Sequence, residues 1–274
     1  MKQRQISQEE NNEEQQRSQL HQLILNWLTP TDYSSQQSDF IGRRQEGTGE
    51  WLLASNKFQT WVDQPKRIIF CPGIPGAGKT IATSIVIDHL HRIFRNDVGV
   101  GVAYVYCNFR QHQTQHPKDL LLSLLKQFIR GVPSVPICVE RLYEDHTRKG
   151  TRPTFEEITD VFFSVVAGFS RTFIIVDALD ECNISDGARS KFMSTIFDIH
   201  ARTHANIFST SRFIPDIMKE FKKRGSDWLE IRASEEDVRR YLDGHKSQLR
   251  SFVLEDPELE EKIKATIVKA ADGM

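Results

Sequence analysis

The chain has 274 residues, 39% of them apolar, with 36 Lys plus Arg against 37 Asp plus Glu and a formal net charge of -1. Such a chain can bury a full α/β core, and its near-zero charge supplies no general attraction to nucleic acid or to an anionic membrane. No apolar run approaches the roughly 18 residues of a membrane span, the opening MKQRQISQEE has no signal-peptide segment, and Cys71, Cys107, Cys138 and Cys182 form no CxxC pair, so a cytoplasmic protein with reduced, mostly buried thiols is expected, without a zinc site or disulfide framework.

Residues 1–19 are dominated by Gln, Glu, Asn and Arg, with Ile6 the one apolar side chain after Met1. Such a segment buries too little to offset its ordering entropy, and a disordered tail or frayed helix is expected. Residues 20–66 form a helical lead-in. Leu20, Leu23, Ile24, Trp27 and Leu28 share one helical face before Pro30. Trp51, Phe58, Trp61 and Val62 suit a second amphipathic helix after the Gly47-Thr48-Gly49 turn.

From residue 67 to 233 short apolar runs alternate with helical patterns. RIIFC, VAYVYCNF, TFIIVD, NIFSTS and WLEIRA read as strands, and segments such as Thr80 to Phe94, Pro117 to Arg130 and Ala188 to His200 read as helices. This alternation predicts a parallel sheet covered on both faces, an α/β fold in three layers. Residues 234–274 begin a further helical region.

The chemistry concentrates at three strand ends. Gly73-Ile74-Pro75-Gly76-Ala77-Gly78-Lys79-Thr80 satisfies G-x-x-x-x-G-K-[ST] between a strand and a helix, the context that the motif requires. Its backbone N–H groups and the helix N-terminus can close around phosphate oxygens. Lys79 can reach the β and γ phosphates, and Thr80 can ligate Mg²⁺. FIIVDALDEC carries Asp177 to the end of a buried strand, where an acid can orient Mg²⁺ through its water shell. Asp180 and Glu181 follow, and one of them can position an attacking water; Glu181 has the longer reach. In FSTSRF, Arg212 stands just past another strand, suited to a γ phosphate. His112 with His116 and His200 with His204 have i, i+4 spacing but no third ligand, and read as ordinary surface histidines.

GIPGAGKT, VAYVYCNFR, FIIVDALDEC and STSR, in that order, resemble the NACHT class of signal-transducing P-loop NTPases of the STAND group. The lead-in QQSDFIGRRQEGTGEWLL resembles the version in fungal NOD-like receptors with ankyrin or WD repeats, whose ATPase module is described as nephrocystin-like. The resemblance, over about residues 20 to 274, implies a P-loop fold with a five-stranded parallel sheet whose sensor strand lies between the P-loop and Asp177 strands. It also implies ATP or GTP with Mg²⁺, and nucleotide-controlled oligomerisation. Ala178 follows Asp177 where many related ATPases carry Glu, which leaves the hydrolysis rate open. EKIKATIVKAADGM looks like the start of the helical region that leads in this family to a winged helix and a repeat array, so the chain reads as an NTPase core, either a short product or a fragment of a larger receptor.

A slow ATPase acting as a switch is the leading expectation. The alternatives are a nucleotide-binding scaffold without turnover and a metabolic P-loop kinase, for which no Arg-rich lid is identifiable. No N-K-x-D guanine-reading motif follows the P-loop.

Overall fold

The computed structural model describes residues 2–111, 115–182 and 185–271. Five strands, β1 (Ile68–Pro72), β2 (Val100–Tyr106), β3 (Arg171–Asp177), β4 (Ala205–Ser211) and β5 (Asp227–Trp228), form one sheet in the order β2-β3-β4-β1-β5. Every pairing is parallel. Strand β4 therefore lies between β1 and β3, as the resemblance implies for the sensor strand. The three inner strands are buried almost throughout, which explains why they read as continuous apolar runs.

Helices precede, connect and follow these strands. α1 (Lys2–Leu28), α2 (Ser34–Gly42), α3 (Glu50–Ala54) and α4 (Asn56–Asp63) come before the sheet. α5 (Lys79–Ile93), α6 (Pro117–Arg130), α7 (Ile137–Lys149), α8 (Phe155–Ala167), α9 (Ala188–Arg202) and α10 (Pro215–Lys223) connect the strands. α11 (Glu235–Gly244), α12 (Ser251–Leu254) and α13 (Pro257–Ala270) follow them. Side chains alternate between sheet faces along each strand. Phe173 and Phe208 meet Trp61 of α4 on one face, whereas Phe70 stacks on Phe221 of α10 on the other, with centroids 4.3 Å apart. This is the expected three-layer α/β/α arrangement.

Several local expectations differ from the structure. The polar segment 1–19, expected to be disordered or frayed, continues α1 back to Lys2. Gln, Glu and Arg have good intrinsic helix propensity, and the docked end of α1 supplies a formed helix from which they propagate. On that end Ile24, Leu25 and Leu28 are buried, while Leu23 is 57% exposed, so the buried stripe is rotated towards Leu25. The C-terminal end of α1 is pinned by cations: Lys126 Nζ donates to Thr29 O at 2.6 Å, and Arg152 donates to Trp27 O, which suits the negative end of the helix.

The single helix expected after residue 49 is two, α3 and α4. Ser55 separates them because its hydroxyl accepts from Phe58 N at 3.2 Å and caps α4. The last strand is shorter than WLEIRA suggests, though Leu229 N and Ile231 N still donate to Phe70 O and Pro72 O along β1. None of the four cysteines is in a disulfide, and Cys138 alone among them is only half-buried. His116 caps α6, His200 Nδ1 lies 2.8 Å from Ala205 O, and His112 lies outside the described residues. No helix among the described residues is long and apolar enough to cross a membrane.

Trp61 ties the lead-in to the sheet. It is fully buried, and its indole Nε1 donates to Ile207 O at 2.9 Å. Trp61→Ala is expected to destabilise the protein by about 3–5 kcal/mol in urea unfolding, with Trp61→Phe losing less. A near-neutral alanine variant would mean that the lead-in is not part of the core.

Candidate functional site

The site forms at the carboxyl ends of three adjacent strands, β1, β4 and β3, where an open parallel sheet presents its loops. Beyond β1 the chain turns immediately, with Gly73 N donating to Ser211 O of β4 at 3.0 Å. A Cβ on Gly73 would stand 2.6 Å from Ile231 O, so only glycine fits there. Gly76 and Gly78 have φ of 83° and 85°, the left-handed region that glycine enters without strain. Gly78 is the N-cap of α5, and Lys79 and Thr80 are its first two residues.

Lys79 Nζ donates to Gly73 O at 2.9 Å and to Ile74 O at 2.8 Å, curling the side chain back over its own loop. Partial burial lowers its pKa, opposed by the nearby carboxylates of Asp180 and Asp177. The ammonium is thus a partly desolvated cation within a loop of backbone groups, with carbonyl contacts that a more strongly interacting anion can replace.

Asp177, the last residue of β3, is 2% exposed. Its Oδ2 accepts from Thr80 Oγ1 at 2.8 Å, and its Oδ1 from Thr83 Oγ1 and Thr210 Oγ1, both at 2.7 Å. Burial pushes the carboxyl pKa up, and the three hydroxyl hydrogen bonds act against that rise. Ala178 then enters the left-handed region at φ 51°, an uncommon conformation for a residue with a Cβ. Its N–H donates to Thr210 Oγ1 at 2.9 Å.

This turn sends the next two acids apart. Asp180 faces β4, its Oδ1 accepting from Arg212 N at 2.9 Å and its Oδ2 from Arg212 Nε at 2.5 Å. The Asp180 side chain is 3% exposed and that of Arg212 is 46% exposed. The Asp180 hydrogen bond raises the Arg212 pKa further. Glu181 faces β2 instead, where its Oε2 accepts from Phe109 N at 3.3 Å. Lys79, Thr80 and Asp177 thus meet at one place, Asp180 and Arg212 pair beside it, and Glu181 stands on the β2 side.

Two kinds of residue escaped sequence reasoning. Thr83 and Thr210 complete the coordination of Asp177. Thr83 follows Thr80 by one helical turn, a usable cue, but nothing local shows that Thr210 on β4 faces α5. The second kind builds a cavity of about 370 Å³ beside the P-loop, lined by Gly76, Gly78, Ile81, Trp51, Ile231 and Tyr241 among others. Its wall joins distant segments: Asp237 of α11 accepts from Gly49 N at 3.1 Å, and Arg240 donates to Gly47 O. A cavity of about 410 Å³ at the β2 edge, around Phe94, Val102 and Gln127, holds none of the motif residues.

A G-x-x-x-x-G-K-[ST] loop between β1 and α5, with Thr80 bonded to the acid that ends β3 in a five-stranded parallel sheet, defines a P-loop NTPase fold. The chain belongs to the family described as "Nephrocystin 3, N-terminal", which matches residues 47–212, more than half its length. It is 28% identical over 141 residues to the "Vegetative incompatibility protein HET-E-1" of Podospora anserina, covering 48% of this chain and 10% of that protein. The chain thus spans about a tenth of that curated relative. These matches support the NACHT-type reading of the motifs.

Solved structures with a similar outline include the Aeropyrum pernix ORC1 protein in complex with DNA, at 14% identity and TM-score 0.46 over 82% of this chain and 53% of that one. Another is AMPPCP-bound DnaA from Aquifex aeolicus, at 14% identity and TM-score 0.41 over 84% and 65%. Likenesses at this level carry no functional weight.

The Asp180–Arg212 pair yields a stability prediction. Asp180→Leu removes the acceptor of both Arg212 N and Arg212 Nε, a loss of about 1–3 kcal/mol in chemical denaturation. Asp180→Asn, which keeps an acceptor oxygen, is expected to lose less. Equal losses would show that the bonds contribute little and the shape of the side chain most.

Proposed function

We propose that this chain is a nucleotide-operated switch that binds ATP with Mg²⁺, hydrolyses it slowly and uses the bound state to control self-association. The observation that carries this reading is the convergence of Lys79, Thr80 and Asp177, with Thr80 Oγ1 2.8 Å from Asp177 Oδ2 at the mouth of the P-loop. GTP is the alternative nucleotide.

The donor set suits Mg²⁺, a hard cation that takes few protein oxygens and keeps most of its waters. Thr80 offers a hydroxyl and Asp177 a carboxylate. When bound, Mg²⁺ would neutralise charge on the phosphate oxygens. The chain's own residues do the rest. Backbone N–H groups of residues 76–80 cradle phosphate, Lys79 exchanges its two carbonyl contacts for phosphate oxygens, and Asp177 holds Thr80. The mostly apolar cavity bounded by Ile81, Trp51, Ile231 and Tyr241 suits a flat nucleobase.

For turnover, Glu181 is the residue proposed to position the attacking water. Asp180 is engaged with Arg212, whereas Glu181 is held by one long backbone contact at 3.3 Å. Arg212 would stabilise charge on the terminal phosphate. Ala178 in the position after Asp177 favours slow turnover, and a scaffold that binds without hydrolysis is the second reading that this same residue supports. The likeness to the Podospora vegetative incompatibility protein supports a setting in fungal incompatibility-type or innate-immunity signalling. A cytoplasmic location and protein signalling partners belong to the same proposal.

Lys79→Ala is expected to weaken Mg-nucleotide binding by about tenfold or more, since it removes a charge-assisted phosphate contact. Unchanged affinity in a calorimetric titration would sink the P-loop reading. Glu181→Gln is expected to bind ATP as the parent does but to turn it over about 30-fold more slowly or worse, within reach of the 10²–10⁴ lost with a positioned base. The same variant should retain triphosphate and shift towards the assembled state in light scattering. Parental turnover in Glu181→Gln, with a loss in Asp180→Asn, would exchange the two roles.

A further inference from the structure

The two oxygens of Asp177 are used unequally. Oδ2 meets only Thr80 among the hydroxyls, whereas Oδ1 meets Thr83 and Thr210. The direction of the Thr210 bond is fixed by its second contact. Because its oxygen accepts from Ala178 N–H at 2.9 Å, its proton is free to point at Asp177 Oδ1, 2.7 Å away. Thr83 has two acceptors within reach, Asp177 Oδ1 at 2.7 Å and Lys79 O at 3.0 Å. The shorter contact to a carboxylate is the stronger one.

Both hydroxyls sit on 0%-exposed residues, so neither is there to satisfy solvent. They come from different elements, α5 and β4, and donate to the same oxygen. Thr210 also connects that oxygen to the left-handed Ala178 turn, two residues before Arg212 takes hold of Asp180.

We propose that Thr83 and Thr210 are positioning residues for the metal-facing carboxylate: by saturating Oδ1 they fix the rotation of Asp177 so that Oδ2, beside Thr80, is the oxygen that meets the water shell of the metal. This rests on the Mg-nucleotide reading above. It assigns a role to two side chains outside the P-loop motif and the strand-end acid. It also explains why a carboxylate this deeply buried is given three hydroxyl donors and, among the described residues, no cation in direct contact.

The test uses the full chain with Thr83→Val and Thr210→Val, which keep side-chain volume and remove the hydroxyl, and Thr83→Ser and Thr210→Ser, which restore it. ATP affinity is measured by calorimetry in EDTA and across a Mg²⁺ series, and Mn²⁺ binding to the ATP-loaded protein is followed by electron paramagnetic resonance. Each valine variant is expected to need about tenfold more Mg²⁺ or Mn²⁺, the size of effect typical of outer-shell partners. Affinity in EDTA should stay within about twofold of the parent, because the Lys79 ammonium and the loop N–H groups that would meet phosphate are unchanged. The serine variants should return to parental values.

A merely structural role would lower the melting temperature and the EDTA affinity without a selective change in the metal requirement, and that result overturns the inference. So does a parental metal requirement in both valine variants while the parent itself remains Mg-dependent, which leaves the nucleotide reading intact. A parent whose ATP binding ignores Mg²⁺ removes both together. Should Thr210→Val fail to fold, having lost the partner of Ala178 N–H, Thr83→Val and the two serine variants still decide the matter.

Discussion

A carboxylate taken almost wholly out of water must be met by donors or give up its charge, and the arrangement of this protein around Asp177 follows from that constraint. The donors come from α5 through Thr80 and Thr83 and from β4 through Thr210, so the P-loop helix and the central strand are both committed to one side chain. The strand order makes this possible. With β4 inserted between β1 and β3, the loop that would hold phosphate and the acid that would orient a cation are separated by one strand, and that strand's end supplies the link between them.

The same strand end divides the labour of the acids that follow. Ala178 adopts the left-handed conformation, held by Thr210, and the tight turn after it sends Asp180 towards Arg212 and Glu181 towards the end of β2. A glycine would enter that conformation more cheaply, so the hydrogen bond from Ala178 N to Thr210 is one of the contacts that over-determine it. Behind β2, a buried polar group backs the segment that Glu181 touches: Gln115 Nε2 donates to Tyr106 O at 2.9 Å and to Tyr33 OH at 3.1 Å, and Tyr106 donates to Gln37. Burial pushes the Tyr106 phenol pKa up, and the nearby Asp177 carboxylate adds to the rise.

The lead-in and the C-terminal helices take part in the site rather than merely flanking it. Gly49 comes from before the sheet and Asp237 from after it, and both line the cavity next to Gly76 and Gly78, with the Gly47–Arg240 contact joining the same two segments. An occupant of that cavity would touch segments nearly two hundred residues apart, so its presence and the docking of α11 on the lead-in are energetically linked. α11 buries no residue fully and its ion pairs are mostly solvated, so the contacts of Asp237 and Arg240 with the lead-in hold it together with its packing against α13 and the Asp243–Lys264 pair.

The alternation of strands and helices, the P-loop and its lysine, and the strand-end acid are legible in the chain because each is a local pattern: buried parallel strands need continuous apolar runs, and a backbone cradle needs glycines at set spacing. The sequence also marked Asp180, Glu181 and Arg212 as neighbours of that chemistry. Their separate orientations depend on a turn at Ala178 that no propensity announces. That Thr210 shares Asp177 with α5, that Leu25 rather than Leu23 lies inward on α1, and that Asp237 reaches back to Gly49 emerge from packing alone. Each of these is a contact between segments far apart in the chain, and period-two or helical patterning tells which face is buried without telling what will be found against it.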